Sequence, residues 1–299
     1  MGNAAFRNSF AFLSELLRPP SGLLLLAGAM LSSMRELPGT TLLILFLMVA
    51  SGARAQEAAT SDPINTDRPG ILFSSQTVKR HVLQIEIGIP SVTIVNGDST
   101  DFRSTSLAGL VRYGLTDKFE LRLGSPVYTE TRVTSGGFRS MDHGFGDVEV
   151  GAKWHLLDGA GARPSFALIP SVIVPVGEKG FSAERPVYQL NAMAEWALTK
   201  DWSAGALAGY LNGPAESGRY GQETFAVSLG RSLPSPKWSA YGEAAYIVTN
   251  LDGAGDSSFL GGGVKYLVSN DLQFDLSFDR GLTADSPDWL FGLGLSARF

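Results

Sequence analysis

The stretch that decides the fold is the last one, Trp289 to Phe299, reading WLFGLGLSARF. Successive side chains of an extended strand point to opposite faces, so Trp289, Phe291, Leu293, Leu295, Ala297 and Phe299 share one side. Gly292, Gly294, Ser296 and Arg298 share the other. An apolar face with no polar cover, kept up to the carboxyl end, is what a strand shows to lipid in a membrane β-barrel.

The same alternation recurs upstream. Leu83, Ile85, Ile87 and Ile89 oppose Gln84, Glu86 and Gly88, and Phe119, Leu121 and Leu123 oppose Glu120, Arg122 and Gly124. Val148 to Leu156, Leu190 to Leu198 and Leu272 to Phe278 repeat it, and a helix would gather neither face from that spacing. About twelve segments begin near residues 81, 102, 118, 145, 164, 187, 202, 222, 237, 257, 271 and 289, each close to the roughly 9–11 residues of a tilted spanning strand. The expected fold is all-β: a transmembrane, antiparallel, up-and-down barrel of about twelve strands, its first strand closing on its last. A soluble sandwich or propeller is the competing architecture.

The connections alternate in length. Short ones are 115–117, 158–163, 199–201, 234–236 and 269–271; long ones are expected at 96–101, 132–143, 175–186, 212–221, 250–256 and 281–288. Short periplasmic turns with longer external loops put both termini in the periplasm. Three turns resemble one another, YGLTDKFELRL (113–123), WALTKDWSAGA (196–206) and YLVSNDLQFDL (266–276). Tyr113, Phe119, Trp196, Trp202, Trp238 and Tyr266 lie near these turns, as an interfacial aromatic girdle requires.

Ahead of the strands, Arg35, the apolar run Leu42 to Ala50 and Ala53-Arg54-Ala55 have the order of a secretory signal peptide, with cleavage expected between Ala55 and Gln56. The domains expected are a signal at 1–55, starting at Met1 or internally at Met30 or Met34, a periplasmic leader or plug at 56–77, and a barrel at 78–299 in a bacterial outer membrane. The leader contains Asn65-Thr66-Asp67-Arg68-Pro69-Gly70 without alternation. It is expected either to fold into the mouth, with Asp67 and Arg68 meeting luminal charges, or to hang free.

The 299 residues are 44% hydrophobic and 18% charged, with 35 Gly, no Cys and a net charge of −5. Lack of Cys excludes disulfides and thiolate sites, and the negative charge gives no attraction to nucleic acid. The polar faces carry Glu86, Arg112, Glu120, Arg122, Asp147, Glu149, Lys153, Glu195, Glu243, Lys265, Asp275, Asp279 and Arg298, which become the candidates for lining the lumen. They either pair across it and hold the wall, or line a path for solute. Of the three histidines, His81 and His155 fall near opposite ends of strands and His143 in a long loop. No G-x-S-x-G elbow or H-E-x-x-H run accompanies them, so no catalytic residue, metal ligand or cofactor is expected.

TDRPG (66–70) followed by TVKRHVLQIEIG (77–88), then RYGLTDKFELRLG (112–124) and GFGDVEVGAKWHL (144–156), resembles the outer-membrane transporters grouped as "MetA-pathway of phenol degradation". In that family an Asp-Arg-Pro motif precedes a Gln-x-Glu-x-Gly strand. The resemblance covers about 64–299 and departs at Gly70, where an acid is frequent, and at Lys79-Arg80. It implies passage of small solutes, aromatic or hydrophobic ones among them. The terminal Phe299 resembles the signal read by the barrel-assembly machinery, and lipid and lipopolysaccharide are the other expected partners. A non-conducting structural or surface-interaction barrel is the alternative, with a lipid-modifying enzyme behind it.

Overall fold

The computed structural model describes residues 62–97 and 99–299. The expected leader through Ala55 and its cleavage site lie outside the described residues. No helix among those residues is long and apolar enough to cross a membrane. The chain forms one antiparallel sheet of thirteen strands. In order these are β1 (Leu83–Asn96), β2 (Thr100–Thr116), β3 (Phe119–Ser135), β4 (Phe138–Gly144), β5 (Val148–Leu157), β6 (Ser165–Val174) and β7 (Val187–Ala197). They continue with β8 (Trp202–Pro214), β9 (Arg219–Ser232), β10 (Trp238–Asn250), β11 (Ser257–Ser269), β12 (Leu272–Gly281) and β13 (Trp289–Arg298).

The sheet closes through β1 and β13, with Gln84 opposite Arg298 and Ile94 opposite Trp289. Leu83 and Phe299 also exchange backbone hydrogen bonds, which removes any free edge from the wall. The ring has twelve members (13 − 1), because β4 is not a separate stave. β3 is 17 residues long and pairs with β5 along Phe119–Gly124, then with β4 along Thr129–Ser135. β4 and β5 therefore form one interrupted stave. At the interruption Pro126 cannot donate to the ladder, and its carbonyl accepts from Gly146 N at 3.2 Å.

Three connections expected to be long are tight. The 132–143 loop is instead a hairpin turning at Gly136 and Gly137, whose φ values of 56° and 83° suit a two-residue turn that glycine adopts without strain. β8 reaches Pro214 and β9 starts at Arg219, so the 212–221 loop is mostly ladder. Only residues 97–99 separate β1 from β2, again shorter than the 96–101 expectation. These strands outrun the apolar belt, where their alternation is polar on both faces and invisible to a hydrophobic pattern. The 175–186 connection is a true loop.

The outward face is apolar. Leu121, Val150, Trp154, Leu190, Phe225, Val227, Leu276 and Leu293 all stand exposed on it. Near the short turns Trp238 and Tyr266 lie 4.7 Å apart, and toward the long-loop end Phe278, Trp289 and Phe291 form a second aromatic group. The inward face departs from the sequence expectation: it is not polar throughout. Ile169, Met193, Leu207, Ala226, Ala245 and Phe259 are buried inside the ring as one apolar band on β6 to β11.

Candidate functional site

The site is built where the segment ahead of β1 enters the lumen. Its ends are tied to short turns: Ile64 N donates to Asn270 O at 2.7 Å and Thr77 Oγ1 to Asp117 O at 2.7 Å. Between these ties the segment fills the interior and meets two different walls.

The charged wall comprises β1, β2, β3 and β5. Inward positions place Glu86, Arg112, Glu120, Arg122 and Lys153 around Asp67, all buried. Lys153 Nζ donates to both Asp67 oxygens at 2.7 and 2.9 Å, Arg122 Nη1 donates to Asp67 Oδ2, and Arg112 Nη1 stands 3.6 Å away. Glu120 accepts from Arg112 Nε at 2.8 Å, from Arg122 at 2.9 Å and from the segment's Val78 N at 2.7 Å. Glu86 accepts from Arg112 at 2.9 Å and from Asp67 N and Arg68 N, each at 3.0 Å. Three carboxylates and three cations thus balance within one buried cluster, the only economical way to hold charges out of water. Burial alone pushes the Asp67 carboxyl up. The Arg112, Lys153 and Arg122 cations outweigh that and hold it well below the ordinary carboxylate range.

Arg68 crosses to β12, where Asp275 accepts at 3.3 Å, and Leu293 O accepts at 3.4 Å. Its guanidinium lies against Gly88 and Gly294, and a Cβ at either would collide with it. Side-chain bulk is excluded there by a close approach, the positional role glycine plays in a strand. Further along, Ile71 N donates to Glu243 at 2.9 Å and Ser75 N to Glu195 at 2.6 Å. At the tip, Ile71, Leu72 and Phe73 pack on the apolar band.

The remaining sequence-derived residues are placed as follows. Asp147 is buried; it accepts from Gly177 N at 2.9 Å and Ala183 N at 2.7 Å and so holds the 175–186 loop. Glu149 is half-buried on the inward face, and Asp279 is buried near the long-loop side of β12. Arg298 sits at the short-turn rim, donating to Asp271 at 2.7 Å and to Asp62 O at 2.8 Å. Lys265 lies inward on β11, opposite Asp275 in register. His81 contacts Tyr113 at 3.3 Å, His143 is exposed on β4, and His155 lies between Ser75 O at 2.9 Å and Asp158 at 2.7 Å. Bonds from His155 and Lys118 hold the Asp158 carboxyl below its ordinary value. No group of three or more His, Asp or Glu suited to a metal occurs among the described residues.

Sequence reasoning missed the backbone donors that Glu86 and Glu120 accept, the glycine seat of Arg68 and the apolar band. Glycines at alternate inward positions, 292 and 294, were the available signal for the seat.

A closed twelve-stave barrel with an apolar outer belt and an occupied lumen has the fold of bacterial outer-membrane barrels. The chain belongs to the family described as "Putative MetA-pathway of phenol degradation", whose model matches residues 66–299. Among solved structures it is similar to the COG4313 outer membrane channel from Pseudomonas putida F1, at 15% identity and TM-score 0.57, over 78% of this chain and 99% of that one. It is also similar to the transport unit of the autotransporter AIDA-I from Escherichia coli, at 9% identity and TM-score 0.50, over 77% of this chain and 94% of that one. A search of curated protein sequences gave no match.

Proposed function

We propose that the protein is a passive channel of the bacterial outer membrane for small solutes, aromatic or hydrophobic ones among them, with residues 62–77 as its plug and both chain ends on the periplasmic side. The observation that carries this reading is the inward apolar band of Ile169, Met193, Leu207, Ala226, Ala245 and Phe259, capped by Ile71 to Phe73. Structural stability of a barrel does not require apolar side chains facing its lumen; a path for apolar solute does. The charges on β1, β2, β3 and β5 then serve to seat the plug, and lining a path falls to the other wall.

A catalytic role is not part of this reading. His155 is engaged by a backbone carbonyl and Asp158, and no serine hydroxyl bonds to it among the described residues, so a nucleophile–base pair is missing at the most buried histidine. Export through a cleaved leader, insertion by the barrel-assembly machinery through Phe299, and contact with lipopolysaccharide complete the proposal.

The deciding experiment is solute flux into proteoliposomes, comparing the wild type with a variant lacking residues 62–77. Deletion should raise both planar-bilayer conductance and entry of small aromatic solutes. A barrel that passes neither with the segment removed would be structural, and the channel reading would fall. Phe299→Asp should lower the yield of heat-modifiable, inserted barrel severalfold, measured by gel mobility, whereas Arg298→Gln should leave it near wild type.

A further inference from the structure

A cavity of about 450 Å³ lies between the plug and the β7–β12 wall on the short-turn side of the apolar band. Leu72 and Phe73 of the plug, Met193, Lys265 and the carboxylates Glu195 and Glu243 are among the residues around it, both carboxylates being bonded to backbone N–H groups of the plug. Its size is within the range of roughly 300–1,000 Å³ found for small-molecule sites.

Lys265 stands apart from the other inward cations. Arg68, Arg112, Arg122 and Lys153 each have a carboxylate within 3.3 Å. Lys265 has no ion pair and no hydrogen bond among the described residues. Its register partner on β12 is Asp275, the natural counter-ion. That carboxylate is drawn instead to Arg68 of the plug. The other acids around Lys265 are Glu86, Glu195 and Asp67, and each already accepts from other groups. Seating the plug therefore leaves Lys265 without a bonded carboxylate at the edge of a mixed cavity whose apolar part is Leu72, Phe73 and Met193.

We infer that this cavity binds small monocarboxylates with a compact apolar body, the carboxylate on Lys265 and the body against Leu72, Phe73 and Met193. An anion there supplies the direct bond that Asp275, held by Arg68, does not make, and a buried ammonium with no hydrogen bond is otherwise a cost to the fold. The site exists only with the plug seated, because withdrawal of Arg68 returns Asp275 to Lys265. The inference rests on the channel reading for its physiological sense but not for its test.

Benzoate is the probe, titrated calorimetrically into the full-length protein in detergent, with benzyl alcohol as the uncharged control. Saturable benzoate binding is expected in the wild type, weakened about tenfold or more in Lys265→Gln, as loss of a charge-assisted bond requires. Lys265→Arg should keep most of it. Arg68→Gln should weaken binding by releasing Asp275, and Asp275→Asn should tighten it severalfold. Heat-modifiable migration establishes that each variant is folded. Wild-type protein without saturable benzoate binding, or Lys265→Gln binding as the wild type does, would overturn the site; so would benzyl alcohol binding as tightly as benzoate. Binding without flux after plug deletion leaves the site and removes the channel, and flux without binding does the reverse.

Discussion

The two walls of the lumen grip the same segment by different physics. On β1, β2, β3 and β5 the contacts are directional: Glu86 reads two successive backbone N–H groups and Asp67 meets three cations. A shift of one residue would take Asp67 from its three cations and the two N–H groups from Glu86, so this wall fixes register. On β6 to β11 Ile71, Leu72 and Phe73 meet apolar side chains that would accept them in several offsets. That wall contributes affinity without specifying position. One half of the barrel decides where the segment sits, and the other is smooth, which in the proposed channel leaves a path for solute.

The contrast is sharpest in its expected mutational costs. Asp67→Ala takes from Lys153 its close carboxylate and from Arg122 one of two, and should destabilise plug docking by about 3–5 kcal/mol, seen as a large rise in open-channel current and in protease cleavage between 62 and 77. If current and cleavage stayed at wild-type levels, the charged wall would not be what fixes the segment. Gly294→Ala puts a methyl against the Arg68 guanidinium and should cost about 1–3 kcal/mol, read as partial opening in the same assays. Ile71→Ala loses half-buried apolar contact and should cost about 1–2 kcal/mol, with a small rise in current. Smallest of all should be the effect of mild acid. The folded Asp67 titrates below its ordinary value, so its contribution is fully present above the ordinary carboxylate range and is lost only as pH falls through the lowered value. Asp67 should therefore release nothing between about pH 8 and about pH 5; opening within that window would mean that another group, such as the Glu243 that accepts from Ile71 N, holds the plug.

The barrel was legible because lipid demands an apolar face at every second residue, and strands such as Leu272 to Phe278 and Trp289 to Phe299 comply. Above the belt that demand ends. Arg132 to His143 is largely polar on both faces, so it read as a loop, although Gly136-Gly137 was a usable hairpin signal. The apolar band was hidden for the opposite reason: SFALIPSVIV on β6 is apolar on both faces and gives no parity to read. In the site, charge could be read from sequence but partnership could not. Asp275 lies opposite Lys265 in register, yet its bond goes to Arg68, more than two hundred residues away in the chain (275 − 68 = 207). The pairing of Asp67 with Arg112, Arg122 and Lys153 likewise depends on curvature that brings β2, β3 and β5 to one point.

Both ties of the inserted segment, Ile64 to Asn270 and Thr77 to Asp117, lie at the same rim, where Arg298 also meets Asp62. The segment therefore makes an out-and-back excursion and is not threaded through the ring. In the proposed channel its withdrawal and reinsertion part no two staves, so opening the lumen need never expose a backbone edge to lipid. In that proposal the motion is decoupled from the integrity of the wall, and the free energy of gating is set by a handful of side chains while the barrel itself remains as rigid as its hydrogen-bond ladder makes it.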